Sequence, residues 1–462
     1  MADAYPELLS RLWAALGGAD ELTQRVKAPP AECILPSVFA VDALAAATVA
    51  AASLAIAEFS AARGETSIPE VTVSRRRASA SFVGEMLFAP DGWARPPVWD
   101  PIAGDYPAAD GWIRLHTNYS YHRGAVSRVL GELPERSEVA AAVAKWRAAD
   151  LETAVVEAGG CAAAMHPREE WLRSVPGRIA AAQPVVSRRA HQLDKPAGFG
   201  SPRPGRPLSG IRVLDLTRVI AGPVATQFLA AYGADVLRID PPRFQEVGAL
   251  LPITTAGKRC AWLDLSDPQD RRVFEALLAD ADVVVTGLRA GALTGLGYDS
   301  DGLRRCNPDV VTASLDAYGW EGPWAARRGF DSLVQMSSGI ADAGRTAAGQ
   351  DRPKPLPAQA LDHGTGYLLA AAICRSLTER MTVQTSADVR CSLIATANLL
   401  CEYPTPGGLE GKGATWSAAD TQPVRTAWGL ARHVPVPGDL EGIPAALDVE
   451  AGPLGRHQPS WA

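Results

Sequence analysis

Between positions 211 and 315, short apolar runs alternate with helical ones, and this alternation limits the fold more than any other feature of the chain. Ile211–Leu216 reads as a strand, Val224–Tyr232 as a helix and Ala234–Asp240 as a strand. Further on, Arg272–Ala279 reads as a helix, and Ala281–Thr286 and Val310–Leu315 as strands. Apolar strands this short, separated by helices, predict βαβ units in a parallel sheet covered on both faces. The expected fold class is therefore α/β, a Rossmann-like doubly wound parallel sheet over 209–400.

At 462 residues the chain is too long for one ordinary core. The Pro- and Gly-rich stretch Lys195–Leu208 marks a boundary, and 179–208 is read as a linker. Before it, Tyr106–Leu115 reads as a hairpin turning at Ala109-Asp110-Gly111. Charged helical segments at 121–130, 138–148, 150–158 and 168–173 follow it. A smaller α+β domain is expected at 97–178, preceded by a helical region over 1–96 and with a C-terminal tail over 401–462. A weak repeat links the two ends of the chain. Leu35-Pro36 leads through Asp42 into an alanine-rich helix and Val71–Ser74; Leu356-Pro357 leads through Asp362 into another and Ala387–Ser392. Residues 1–96 accordingly read as a half-copy of the large domain.

Net charge is −6 with no dense Lys/Arg block, which argues against a nucleic-acid partner. The apolar run Val41–Ile56 contains Asp42 and leads into Glu58 and Arg63, so it reads as a core helix rather than a membrane span. The N-terminus has no basic head before an apolar stretch. Seven scattered cysteines without a C-x-x-C read as reduced thiols, and the expected compartment is the cytoplasm. No H-E-x-x-H or close His/Cys cluster supports a metal. The turn after Leu216 reads T-R-V-I-A-G-P, neither G-x-G-x-x-G nor a P-loop, which disfavours NAD and nucleoside phosphates. Arg218 lies beside that turn, and Arg238, Arg243, Lys258 and Arg259 lie near the following elements. Together they are placed to receive an anionic ligand.

Asp362 heads an apolar helix in L-D-H-G-T-G-Y and is expected near its N-cap, where a carboxylate serves either as a cap or as a nucleophile. The N–H groups of Gly364 and Gly366 are candidate donors to a developing oxyanion. Asp42 lacks the glycines and reads as a cap or a relic of the repeat.

The run L-S-G-I-R-V-L-D-L-T-R-V-I-A-G-P (208–223), then L-A-A-Y-G-A-D-V-L-R-I-D (229–240), resembles the opening of family III CoA-transferases, the CaiB/BaiF family. The likeness continues through Gly257-Lys258-Arg259, Leu263-Asp264-Leu265, Leu296-Gly297-Tyr298, Asn307-Pro308 and Tyr318-Gly319-Trp320-Glu321-Gly322-Pro323. It extends over about 209–395, and D-G-W-I (110–113) with R-E-E-W (168–171) resembles the family's small domain. The resemblance implies a CoA-binding large domain, acyl-CoA and carboxylic acid substrates, and a homodimer, possibly interlocked. It implies Asp362 as the catalytic nucleophile, passing through anhydride and aspartyl-CoA thioester intermediates. It also implies a CoA channel lined by Arg218, Val219, Ala221, Lys258, Arg259 and Tyr318, with Asp331 a buried structural partner. Racemases of the family resemble Gly-His-Asp where this chain has Gly329-Phe330-Asp331, and phenylalanine exchanges no proton. CoA transfer is thus the expected activity. The alternatives are a non-catalytic or regulatory CoA-binding homologue and, less favoured, an acyl-CoA racemase or isomerase. In the family the small domain follows the aspartate helix; here it comes before the large domain. The 97–178 unit is therefore expected to complete the site, in cis or across subunits.

Overall fold

The computed structural model describes residues 3–64, 67–193, 198–289 and 291–462. Its main sheet has seven strands, in the edge-to-edge order Arg259–Trp262, Asp235–Asp240, Arg212–Leu216, Val283–Thr286, Val311–Asp316, Thr385–Ser392 and Val186–Gln192. The first six pair in parallel and Val186–Gln192 is antiparallel. In chain order the six parallel strands run third, second, first, fourth, fifth, sixth, the doubly wound arrangement. Leu214, Val283, Val284 and Val285 have no exposed surface, as continuous apolar strands covered on both faces require.

The switch point lies between Arg212–Leu216 and Val283–Thr286, and a crevice is expected beyond their carboxyl ends. Over it lies the Asp362 helix, Ala360–Thr382, buried along almost its whole length. It packs against the sheet, against helix Ala221–Ala231 and against the alanine-rich helix Val41–Ala62. Small side chains let these helices approach closely, and the absence of a polar face explains why both are buried all round. Val41–Ala62 is long and apolar enough to cross a membrane, yet 94% of an apolar 18-residue window within it is buried inside the fold.

The hairpin Gly104–Ala108/Gly111–Leu115 is joined by Ala162–Ala164 into a three-stranded antiparallel sheet backed by helices Ser120–Leu130, Arg136–Val143 and Ala148–Glu157. The stretch read as linker needs correction. Val186–Gln192 is a strand in register with Thr385–Cys391, so part of 179–208 belongs to the main sheet. Alternation in V-S-R-R-A-H-Q is masked by its charges, which sit on an edge strand where solvent reaches them. Lys195–Ala197 lies outside the described residues. The tail runs back along the sheet's opposite edge, where the Cys260 N–H donates to His457 Nδ1 at 2.9 Å.

Candidate active site

Asp362 is the third residue of its helix, in the first turn and near the N-cap as expected; the N-cap itself is Gln359, which makes no side-chain cap bond. The capping role is filled by Asp331, whose Oδ2 accepts the N–H groups of Leu361 (2.8 Å) and Asp362 (3.0 Å). The other oxygen of Asp331 accepts from the Gln335 amide, and Gln335 Oε1 in turn accepts the Leu356 N–H at 2.7 Å. Two of the free donors of the first turn are therefore satisfied by a side chain from another element. That leaves the Asp362 carboxylate itself with no hydrogen-bond donor among the described residues.

Asp42 occupies the corresponding place in the packed partner helix and is arranged in the opposite way. Its carboxylate accepts the N–H groups of Ile34 (2.9 Å) and Leu35 (3.1 Å) and the hydroxyl of Ser79 (2.6 Å). One aspartate is consumed by the fold and the other is held bare.

Burial pushes the Asp362 pKa well above the usual carboxylate range, with the nearby charges of Asp331 and Glu85 adding to the shift. Asp331 is also raised by burial, but its three donors favour its ionised form. In the pair, the proton therefore resides on Asp362 and Asp331 ionises first.

Two cavities meet at Asp362. One, of about 460 Å³, has mostly apolar walls that include Val83, Met86, Trp99, Ile220 and Leu250. The other, of about 410 Å³, is lined by Arg218, Arg289, Arg327 and Arg328, by Tyr119, Tyr121 and Phe244, and by the strand ends Gly287, Leu315 and Asp316. Val219, Phe330 and Asp362 line both, so the carboxylate sits at the waist between them. The second cavity opens at the carboxyl ends of the strands flanking the switch point, where an open α/β sheet binds its ligand.

Val219 is held at φ 65°, a left-handed conformation costly for a β-branched residue, on the order of 1–3 kcal/mol. It turns the chain from the first strand into helix Ala221–Ala231, which carries no side-chain cap and begins at the second cavity. An uncapped helix start attracts negative charge. Phe330 stacks face to face on His116 of the small domain, ring centroids 3.7 Å apart and planes 3° apart. Burial pushes the His116 pKa well below its ordinary value, so this imidazole is neutral. Trp99, Arg114 and His116 reach the first cavity and Tyr119, Tyr121 and His122 the second, all from 97–178 of the same chain.

Of the expected channel residues, Arg218, Val219 and Ala221 do line the second cavity. The other five expected ligand contacts need correction. Lys258 is fully buried, its Nζ held by Asp215 at 2.9 Å and by the Pro223 carbonyl at 3.1 Å, so it reaches no ligand. Arg259 Nη2 donates to both carboxylate oxygens of Asp235 at 2.8 Å, and the residue faces a different cleft. Tyr318 is buried with its hydroxyl against Ser337 Oγ at 3.1 Å. Gly364 and Gly366 lie past the first turn, so their N–H groups serve the helix's own ladder and stabilise no oxyanion. Their lack of a side chain serves packing. A Cβ on Gly366 would stand 2.5 Å from the Ala221 carbonyl, and one on Gly364 would stand 3.4 Å from Leu44.

Several lining residues escaped sequence reasoning. His116, Tyr119 and His122 follow the D-G-W-I-R stretch, but nothing in the spacing says that this domain folds over Asp362. Asp316 carries one oxygen bonded to the Gly319 N–H and one buried without a partner, and burial pushes its pKa up to about 7.

Residues 208–423 match the model of CoA-transferase family III. The chain carries a CoA-transferase family III domain. A probable fatty acyl-CoA transferase of Mycobacterium tuberculosis is 34% identical over 190 residues, covering 38% of this chain and 48% of that one. A succinate–glutarate CoA-transferase of Agrobacterium fabrum is 34% identical over 193 residues, covering 38% and 48%. A crystal structure of the Mycobacterium tuberculosis protein aligns at 31% identity with a TM-score of 0.39, over 43% of this chain and 60% of that one. The chain thus spans about half the length of these two curated relatives. The matched residues include Asp362 and the part of the second cavity's lining that comes from the main sheet, while Tyr119, Tyr121 and His122 lie outside the match.

Proposed function

We propose that the protein transfers CoA from an acyl-CoA thioester to a carboxylic acid, with Asp362 as the nucleophile. The observation that carries this reading is the bare, buried carboxylate at the meeting point of an apolar and a cationic cavity. A carboxylate is a weak nucleophile in water and a better one where solvent and hydrogen-bond donors are kept from it.

The second cavity suits the CoA half of the thioester. Arg218 and Arg327 are paired with Asp240 and Glu152, but Arg289 and Arg328 form no ion pair among the described residues and match phosphate, and the aromatic walls match an adenine or a pantetheine chain. The first suits the acyl half. Asp362 attacks the thioester carbonyl, the C–S bond breaks, and an aspartyl–acyl anhydride and CoA thiolate result. The thiolate attacks the aspartyl carbonyl, releasing the donor acid and leaving an aspartyl-CoA thioester. The acceptor carboxylate attacks this thioester, giving a second anhydride, and the thiolate then attacks the acceptor's carbonyl. The new acyl-CoA departs and Asp362 is regenerated. On this reading the uncapped start of helix Ala221–Ala231 stabilises the oxyanions, supported by its free N–H groups at the second cavity. Phe330 has no exchangeable proton, which favours transfer over racemisation. In this reading the 97–178 domain closes the site in cis, and the enzyme is cytoplasmic and homodimeric.

Incubation with acyl-CoA and hydroxylamine tests it: a hydroxamate on Asp362, found by peptide mass spectrometry, is expected. CoA binding without any adduct would point to a non-catalytic homologue. Solvent deuterium appearing at the α-carbon without transfer would point to a racemase.

A further inference from the structure

The first cavity contains one charge that the fold leaves unanswered. Among its ionisable lining groups, Glu85 meets His363 Nε2 at 3.1 Å and Asp105 meets Arg114 Nη1 at 2.6 Å. Asp331 is occupied by the helix it caps, and Asp362 is the nucleophile. Arg95 lines the same cavity and forms no ion pair among the described residues. Its Nη1 is buried without a hydrogen-bond partner, and its guanidinium carbon lies 5.3 Å from the Phe88 ring centroid.

Arg95 as a whole is half-buried, so the cost falls on its Nη1: a guanidinium does not shed its proton, and that buried donor stays unanswered without an acceptor. Burial does push its pKa down, and the charge acting against that shift is Glu85, already engaged by His363. An anion brought by a ligand would offset the cost, and a carboxylate fits the planar fork through two hydrogen bonds. The reacting carboxyl of a substrate has to be at Asp362, at the waist. An anion for Arg95 must therefore come from elsewhere on the same molecule, with a hydrocarbon body against the apolar walls between them. The cavity volume of about 460 Å³ leaves room for such a body.

We propose that the acyl cavity selects dicarboxylic acids and their mono-CoA thioesters, with Arg95 as the receptor for the remote carboxylate. This inference rests on the transferase reading above and adds the class of substrate to it.

The test compares matched thioesters with and without the terminal carboxylate: adipyl-CoA against hexanoyl-CoA, and suberyl-CoA against octanoyl-CoA. The rate of hydroxylamine-trapped acylation of Asp362 is followed in the wild type, Arg95→Gln and Arg95→Lys. At least one dicarboxylyl thioester is expected to react about tenfold faster, in kcat/KM, than its partner. Arg95→Gln should abolish that preference, and Arg95→Lys should keep part of it. Equal rates within both pairs in the wild type, or a preference that survives Arg95→Gln, would overturn the proposal. Failure of every thioester to acylate Asp362 would count against the transferase reading. In that case calorimetric binding of adipate and hexanoate still decides the role of Arg95. Tighter adipate binding that Arg95→Gln removes supports the proposal, and indifference to the substitution refutes it.

Discussion

Replacing Asp42 and Asp362 with asparagine, one at a time, should separate an aspartate that builds the fold from one that performs chemistry. Asp42 accepts two backbone N–H groups and a hydroxyl across both its oxygens. An asparagine offers one oxygen to these three donors, so at least one is turned against the amide NH₂ and left unpaired in a buried site. A hydrogen bond to a charged group contributes about 1.5–3 kcal/mol, and an orphaned buried donor costs about 1–3 kcal/mol. Burial of Asp42 itself raises its pKa, which discounts the charged part of this sum. Asp42→Asn is therefore expected to lower unfolding free energy by roughly 2–3 kcal/mol while a folded fraction keeps its activity. Asp362 accepts no hydrogen bond among the described residues, and burial favours its neutral form, which an amide closely imitates. Asp362→Asn should change stability by less than about 1 kcal/mol and reduce CoA transfer at least about a thousandfold. Urea unfolding near neutral pH and an acyl-exchange assay on the same preparations read both quantities. An Asp362→Asn protein that is as destabilised as Asp42→Asn yet retains transfer would show that Asp362 is a structural cap, and the reasoning would fail.

Four further outcomes follow from the same geometry. Because the Asp362 pKa is raised and the carboxylate is the attacking form, kcat/KM should fall as pH falls through a value well above the usual carboxylate range, and a flat acid limb would contradict this. Asp316, pushed up to about 7, costs the folded state progressively as pH rises from about 4 through 7; Asp316→Asn should gain stability over the wild type near pH 8 and none near pH 4, measured by thermal melts. Lys258→Met breaks a fully buried pair with Asp215 and should cost roughly 3–5 kcal/mol of stability, without a specific rise in the KM for acyl-CoA among molecules that remain folded. A fragment spanning 200–462 removes both Val41–Ala62 and the edge strand Val186–Gln192 from the buried Asp362 helix and its sheet; it should show no cooperative unfolding by circular dichroism.

The parallel sheet was legible because its strands are short, apolar and punctuated by helices, a pattern that buried strands impose locally. The hairpin at 104–115 was legible from its turn residues. Val186–Gln192 was not, since an edge strand with solvated charges lacks the alternation of a half-buried one. At the site, Asp362 stood out by its glycines, although they serve a different purpose: Gly366 admits the backbone of helix Ala221–Ala231 rather than donating to an oxyanion. Lys258 and Arg259 looked like ligands for an anion because a sequence shows cations but not their partners. Asp215 and Asp235, which neutralise them, lie on other strands of the sheet, 43 and 24 residues away. The reverse holds for Arg95, which resembles any surface arginine until its lack of an ion-pair partner among the described residues becomes visible.

The central claim is that Asp362 is acylated and regenerated in every cycle, and oxygen labelling tests it most directly. In the proposed sequence the acceptor's carboxylate oxygen becomes the bridging oxygen of the second anhydride and stays on Asp362 when the acyl group departs. After turnover with an ¹⁸O-carboxylate acceptor, the peptide containing Asp362 should carry the label, and the peptide containing Asp42 should not. CoA transfer to the labelled acid with no ¹⁸O in Asp362 would contradict the account.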